Sequence, residues 1–259
     1  MQNDNPIGFF DSGIGGVTIW NAVHDLLPFE NTIYLADSIN APYGQKSKHE
    51  IVDLCFKNVE FLLNKNAKII VVACNTATTN AVKEMRAYFD VPIIGIEPAI
   101  KPAAIHSKTQ TIGILATKGT LSSDLFSKSV ALYEHVKIIE QVGHGLVELI
   151  ENGETNSIEM QKLLQNYLQP MFAQNIDYLV LGCSHYPFLI PQIQKILPKT
   201  ITIIDSGEAV ARQTFQILKS QNILRESEIL GSNIFYTNNN PKILEKVLNH
   251  KFVVIKKDF

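Results

Sequence analysis

The chain has 259 residues, enough for one large α/β domain or two small ones with a sizeable core. Its 23 Lys plus Arg against 25 Asp plus Glu give a net charge of -2 without a long run of one sign, which argues against a nucleic-acid partner. Three cysteines, an odd count with no C-x-x-C pair and no His at zinc-finger spacing, argue against a disulfide framework and a structural zinc site, so free thiols are expected. MQNDNPIGFF lacks the basic and long apolar regions of a signal peptide, and the apolar runs elsewhere are too short to span a bilayer. A cytoplasmic protein with no membrane partner is expected.

In chain order, IGFF at 7–10 reads as a buried strand, and DSGIGG at 11–16 as a glycine-rich turn feeding a helix that Pro28 closes. TIYLAD at 32–37 is the next strand, followed by the loop SINAPYGQ and a long amphipathic helix from Ser47 to Asn66. Ser47 and Glu50 fit a capping box there. Cys55 sits on that helix among Ile51, Leu54, Val59 and Leu62 and reads as core. KIIVVAC at 68–74 is a third strand with a helix to about Phe89, and VPIIGIE at 91–97 a fourth strand. The pattern then restarts. A helix to Ser107 precedes TIGILAT at 111–117, a turn KGTLSS and a helix from Ser123 to about His135; then come VKIIEQV at 136–142 and two helices, the second carrying Pro170. DYLVLGC is the central strand of this half, with a helix expected from Tyr186. TITIIDS at 200–206, a helix from Gly207 to about Leu224, NIFYTN, a helix at 241–249 and KFVVIK complete the chain.

Strand and helix alternate, so the sheets are mostly parallel. The two halves also repeat one another, IGFFDSG over IGILATKG and IIVVACNT over YLVLGCSH. The expected architecture is α/β with two pseudo-symmetric lobes, each a mostly parallel sheet flanked by helices, and an active site in the cleft between them where the carboxyl ends of the strands converge. Cys74 and Cys183 then occupy equivalent positions, one thiol from each lobe. Each is followed by polar residues, Asn75 and Thr76 or Ser184 and His185, where a core cysteine would continue into apolar sequence. A helix N-terminus after each would favour thiolate. Asp11 opens the turn whose glycines permit close backbone approach and whose amides can hold a carboxylate, or it is a simple helix cap. Asp205 repeats the DSG string but reads as a strand end and helix cap.

FDSGIGG, LADSINAPYG, VVACNTAT, IEPAI, ATKGT, LVELIENGE, LGCSHYP and IIDSGEA occur in that order over nearly the whole chain. Together they resemble the cofactor-independent glutamate racemases. The resemblance implies interconversion of L-glutamate and D-glutamate by two cysteines on opposite faces of the α-carbon, with no cofactor and no metal, supplying D-glutamate for peptidoglycan. It implies Cys74 acting on D-glutamate and Cys183 on L-glutamate, with Asp11 assisting the first thiol and His185 the second. Substrate would be held by Asp11, Ser12, Pro42, Tyr43, Gly44, Asn75, Thr76, Thr117, Thr120, Ser184 and His185, with Asp37 and Glu151 as modulating acids. Ser184 stands where the family more often has Thr, and Glu148 replaces a common proline. Family analogy also implies lobes of 1–97 with 208–259 and of 98–207, a homodimer, and regulation by a peptidoglycan precursor. The competing readings are an aspartate racemase or related acid racemase, a thiol hydrolase, a pyridoxal enzyme and a non-catalytic two-lobed amino-acid binder.

Overall fold

The computed structural model describes residues 3–259. Its elements run β1 (Ile7–Asp11), α1 (Val17–Leu26), β2 (Thr32–Ala36), α2 (Lys48–Leu63), β3 (Ile69–Val72), α3 (Asn75–Tyr88) and β4 (Ile93–Gly95) in the first part of the chain. There follow α4 (Ile100–His106), β5 (Thr111–Ala116), α5 (Lys118–Leu121), α6 (Asp124–Ala131), β6 (Lys137–Val142), α7 (Leu146–Glu151), α8 (Ile158–Phe172), β7 (Tyr178–Gly182), α9 (Ile190–Ile196) and β8 (Thr202–Ile204). The chain ends in α10 (Gly207–Ser220), β9 (Asn233–Thr237), α11 (Pro241–Val247) and β10 (Val254–Lys256).

Two sheets result, one of six strands in the order β10-β9-β2-β1-β3-β4 and one of four in the order β6-β5-β7-β8. Every strand pairing is parallel. The order β2-β1-β3-β4 is repeated as β6-β5-β7-β8, which is the internal repeat expressed as topology. The last two strands extend the first sheet beyond β2. β1 and β3 are buried along their whole length, because helices cover both faces of a parallel sheet, and their unbroken apolar sequence follows from that.

One apolar cluster runs between the halves, joining Phe9, Trp20 and Tyr34 to Leu115, Leu181 and Tyr186. A second lies under α2 and α3 and includes Phe10, Cys55, Val72 and Met85. A third, with Ile112, Phe126 and Val180, backs the four-stranded sheet. Cys55 is therefore core.

Several boundaries differ from expectation. KGTLSS is not a plain turn, since Thr117 caps a single helical turn with its hydroxyl accepting the Thr120 amide at 3.2 Å. The helix expected from Tyr186 is a 3₁₀ turn over Tyr186–Leu189, with regular helix only from Ile190. α10 stops at Ser220 rather than Leu224, and the strand expected over 200–206 pairs over only three residues.

The capping box on α2 is complete: Ser47 Oγ accepts the Glu50 amide while the Glu50 carboxylate accepts the Ser47 amide at 2.9 Å. Ser47→Ala should therefore lower unfolding free energy by about 1 kcal/mol. Urea denaturation checks this, as a lower midpoint at unchanged m-value.

Candidate active site

In an open parallel sheet a crevice forms at the carboxyl ends of the two strands where the connections change direction. Those strands are β1 and β3 in one sheet and β5 and β7 in the other. Asp11 ends β1, Cys74 follows β3 as the N-cap of α3, Thr117 follows β5 as the N-cap of α5, and Cys183 follows β7. The two crevices face each other, and both thiols line one cavity. Its free volume is about 10 Å³, roughly the room one water needs. As it stands, the cavity is too small for a ligand of amino-acid size. A larger cavity, about 610 Å³, lies elsewhere, between residues 94–102 and 203–213, and contains neither thiol.

Of the residues expected at the site, Ser12, Pro42, Tyr43, Gly44, Asn75, Thr76, Thr117, Ser184 and His185 line the thiol cavity with Cys74 and Cys183. Thr120 stands one layer back, its hydroxyl 3.1 Å from that of Thr117, which lies 2.8 Å from Thr76. Asp11 also lies behind the wall, fully buried, accepting from the Gly13 amide at 3.0 Å and from the Ser184 hydroxyl at 3.0 Å. Asp37 is farther out and takes the Tyr43 hydroxyl in a short hydrogen bond. Asp205 caps the Gly207 amide at 2.7 Å and has no place at the thiols.

Glu151 has a larger part in the geometry than a distant modulator would. Its Oε1 accepts the Ile14 amide at 2.7 Å and sits 2.6 Å from His185 Nε2, and its Oε2 accepts the Ser38 hydroxyl at 3.0 Å. The anion-holding amides of the glycine-rich turn thus grip a carboxylate of the chain itself. His185 extends the line, its Nδ1 lying 3.8 Å from Cys183 Sγ. The turn must be glycine here: a Cβ on Gly13 would fall 1.9 Å from Glu151 Oε1, and one on Gly15 would fall 2.2 Å from His185 Nδ1.

The thiols do not sit in the matched electrostatic settings expected of them. Cys74 does cap a helix, and the Ala77 amide donates to its sulfur at 3.4 Å. Burial nevertheless pushes this thiol well above the ordinary range, the Asp11 carboxylate adds to the rise, and the Ala77 and Ser12 contacts only partly offset it. Cys183 has no α-helix N-terminus directly behind it. Its neighbour is His185 instead. Burial opposes protonation of that imidazole, but hydrogen bonds to Cys183 and Glu151 and the charge of Asp11 outweigh burial, so its pKa rises well above the usual value. Asp11 is itself raised, chiefly by burial.

Sequence reasoning missed Val147, which lines the cavity, and Ser38 and Asn58, which hold Glu151 and the Tyr43 hydroxyl. Ser38 directly follows a strand-end acid and was legible as a polar loop residue; Val147 and Asn58 carry no local signal. Among the described residues no group of three or more His, Cys, Asp or Glu is placed to hold a metal ion, and no helix is long and apolar enough to cross a membrane.

Residues 18–214 match the family described as Asp/Glu/Hydantoin racemase. The chain is 42% identical over 245 residues to the glutamate racemase of Stutzerimonas stutzeri, covering 94% of this chain and 92% of that one. Its fold is similar to the glutamate racemase isoform RacE1 of Bacillus anthracis, with a TM-score of 0.89 and 31% identity over 99% of this chain and 98% of the other. It is also similar to Escherichia coli glutamate racemase in complex with L-glutamate and the activator UDP-MurNAc-ala, with a TM-score of 0.86 and 31% identity over 98% of each chain.

Two outcomes follow from the electrostatics. Iodoacetamide capture of Cys74 in the ligand-free protein, read by peptide mass spectrometry, should keep accelerating above the pH at which a free thiol levels off; a plateau in the free-thiol range would contradict the buried setting. Glu151→Gln removes a carboxylate acceptor that raises His185, so the imidazole should lose its proton at lower pH than in the wild type, as nitrogen NMR of labelled histidine would reveal.

Proposed function

The chain belongs to the Asp/Glu/Hydantoin racemase family and is an isomerase of the racemase class, and from that premise we propose that it interconverts L- and D-glutamate with Cys74 and Cys183 as the two bases. The observation that carries this reading is that the two thiols come from equivalent strands of two facing sheets and line a single cavity. An α-hydrogen is weakly acidic, so one thiolate takes it as a proton from one face while the opposite thiol delivers a proton to the other face. One sulfur gains what the other loses. The reverse turnover restores both.

Cys74 acts on D-glutamate and Cys183 on L-glutamate. In the closed site Cys74 is protonated, held so by burial and by Asp11. An entering α-ammonium group supplies the positive charge that Asp11 and a Cys74 thiolate both lack, and so favours ionisation at the moment substrate is present. At the other face the raised pKa of His185 gives Cys183 a cationic donor, oriented from behind by Glu151. Hydroxyls and amides of Ser12, Asn75, Thr76, Thr117 and Ser184, with the Pro42–Gly44 wall, take the two carboxylates, and closure excludes water from the carbanionic species.

We take the moving bodies as 1–97 with 208–259 and 98–207, a division supported by the membership of β9 and β10 in the first sheet. The product serves peptidoglycan synthesis in the cytoplasm, in a homodimer that a peptidoglycan precursor regulates. The activator in the E. coli relative's complex supports the regulatory part.

Polarimetry of L-glutamate and L-aspartate side by side tests the substrate and the bases together. The expected result is inversion of glutamate far faster than of aspartate, with a loss of at least about a hundredfold in Cys74→Ser and in Cys183→Ser. Preferential turnover of aspartate, or activity that survives either substitution, would overturn the reading.

A further inference from the structure

Asn238 lies just past β9, in the C-terminal stretch 208–259 that contributes no residue to the lining of the thiol cavity. Its side chain is nonetheless buried and used on both sides. Nδ2 donates to Asp37 Oδ1 at 2.5 Å, and Oδ1 accepts the Ile39 amide at 3.0 Å. Asp37 is only 2% exposed, and two more donors reach it: Asn40 Nδ2 donates to Oδ1 at 2.8 Å and the Tyr43 hydroxyl donates to Oδ2. Asn58 of α2 completes the set by donating to the Tyr43 oxygen at 3.1 Å. Tyr43 is itself buried and leads straight into Gly44. Gly44 packs so closely on the other half that a Cβ there would lie 2.9 Å from the Thr117 Cβ. Polar contacts therefore run without a gap from the end of β9 to the wall of the thiol cavity.

We propose that Asn238 is a positioning residue for the reaction: by orienting the Asp37 carboxylate it fixes Tyr43 and Gly44, and so sets the wall against which the amino-acid substrate is held. The inference rests on the racemase reading for its substrate. Only an amide fits the position, because one atom must accept a backbone N–H while the other donates to a carboxylate. Alanine would leave the Ile39 amide without its acceptor and Asp37 short of a donor. Aspartate, equal in size, would set a second carboxylate against Asp37.

The test compares wild type, Asn238→Ala, Asn238→Asp and the exchanged pair Asp37→Asn with Asn238→Asp. Two readouts are taken: KM and kcat for glutamate, and the rate of iodoacetamide capture at Cys74 in ligand-free protein. The capture rate reports the wall whatever the substrate is, so it separates failure of this inference from failure of the racemase reading. Asn238→Ala should raise KM about tenfold with kcat changed much less, the scale of one lost hydrogen bond to a charged group. Asn238→Asp should do more harm despite its shape. Both should speed Cys74 capture, and the exchanged pair, which restores an amide facing a carboxylate, should bring both readouts back toward wild type. If Asn238→Ala is poorly soluble, the isosteric Asn238→Asp and its exchanged partner carry the same comparison. Unchanged KM and unchanged capture in folded Asn238→Asp, or an exchanged pair as impaired as the single variant, would overturn the assignment.

Discussion

Each half of the molecule sends one carboxylate into the other, Asp11 fully buried and Glu151 partly so, and the site depends on that exchange. Asp11, at the end of β1, accepts the hydroxyl of Ser184 beyond β7. Glu151, at the end of α7, accepts the Ile14 amide and the Ser38 hydroxyl from the opposite half. Asp11 would not tolerate its full burial without partners, since an uncompensated buried charge costs several kcal/mol, and the partly buried Glu151 carries a smaller form of the same penalty. Closing the halves satisfies both at once. Thr18, which donates its hydroxyl to the Ser184 carbonyl at 3.0 Å, and Asn80, whose amide donates to the Gly119 carbonyl at 2.9 Å, add neutral contacts across the same seam. The polar network that shapes the chemistry is thus also what registers one sheet against the other.

The closed state explains why the two sulfurs differ. Cys74 is buried beside a carboxylate, and a single amide at 3.4 Å does not offset that. Cys183 is buried beside an imidazole that Glu151 keeps supplied with an acceptor. A pseudo-symmetric fold therefore lines one cavity with unlike flanks, a carboxylate beside Cys74 and an imidazole beside Cys183. In the proposed reaction, charge brought in by the ligand would complete the first flank, whereas the imidazole and carboxylate of the second are already in place.

Much of this was legible in the chain. The strand-helix alternation, the repeat of IIVVAC as YLVLGC and the capping box at Ser47 each rest on local spacing, and each corresponds to an element in the fold. The role of Glu151 was not legible, because it depends on Ile14 lying 137 positions away. Asn238 and Asp37 are 201 positions apart and meet only because β9 pairs with β2. The environment of Cys74 was misjudged for a related reason: helix capping can be read from sequence, but the burial that overrides it is a property of both halves together. After Cys183, Pro187 and Pro191 each lack an amide donor, and the chain first turns through a short 3₁₀ segment before regular helix begins at Ile190.

Two opposed bases, one on each face, make a prediction that no single base shares. L-glutamate should be incubated with the protein in deuterium oxide and stopped after a few per cent of inversion, and the α-hydrogen isotope of each enantiomer measured separately by mass spectrometry. If Cys183 takes the proton and Cys74 delivers another, the D-glutamate formed will carry deuterium while the L-glutamate recovered still carries protium. Deuterium appearing equally in both enantiomers from the first time point would mean that one group serves both faces, and would contradict the account.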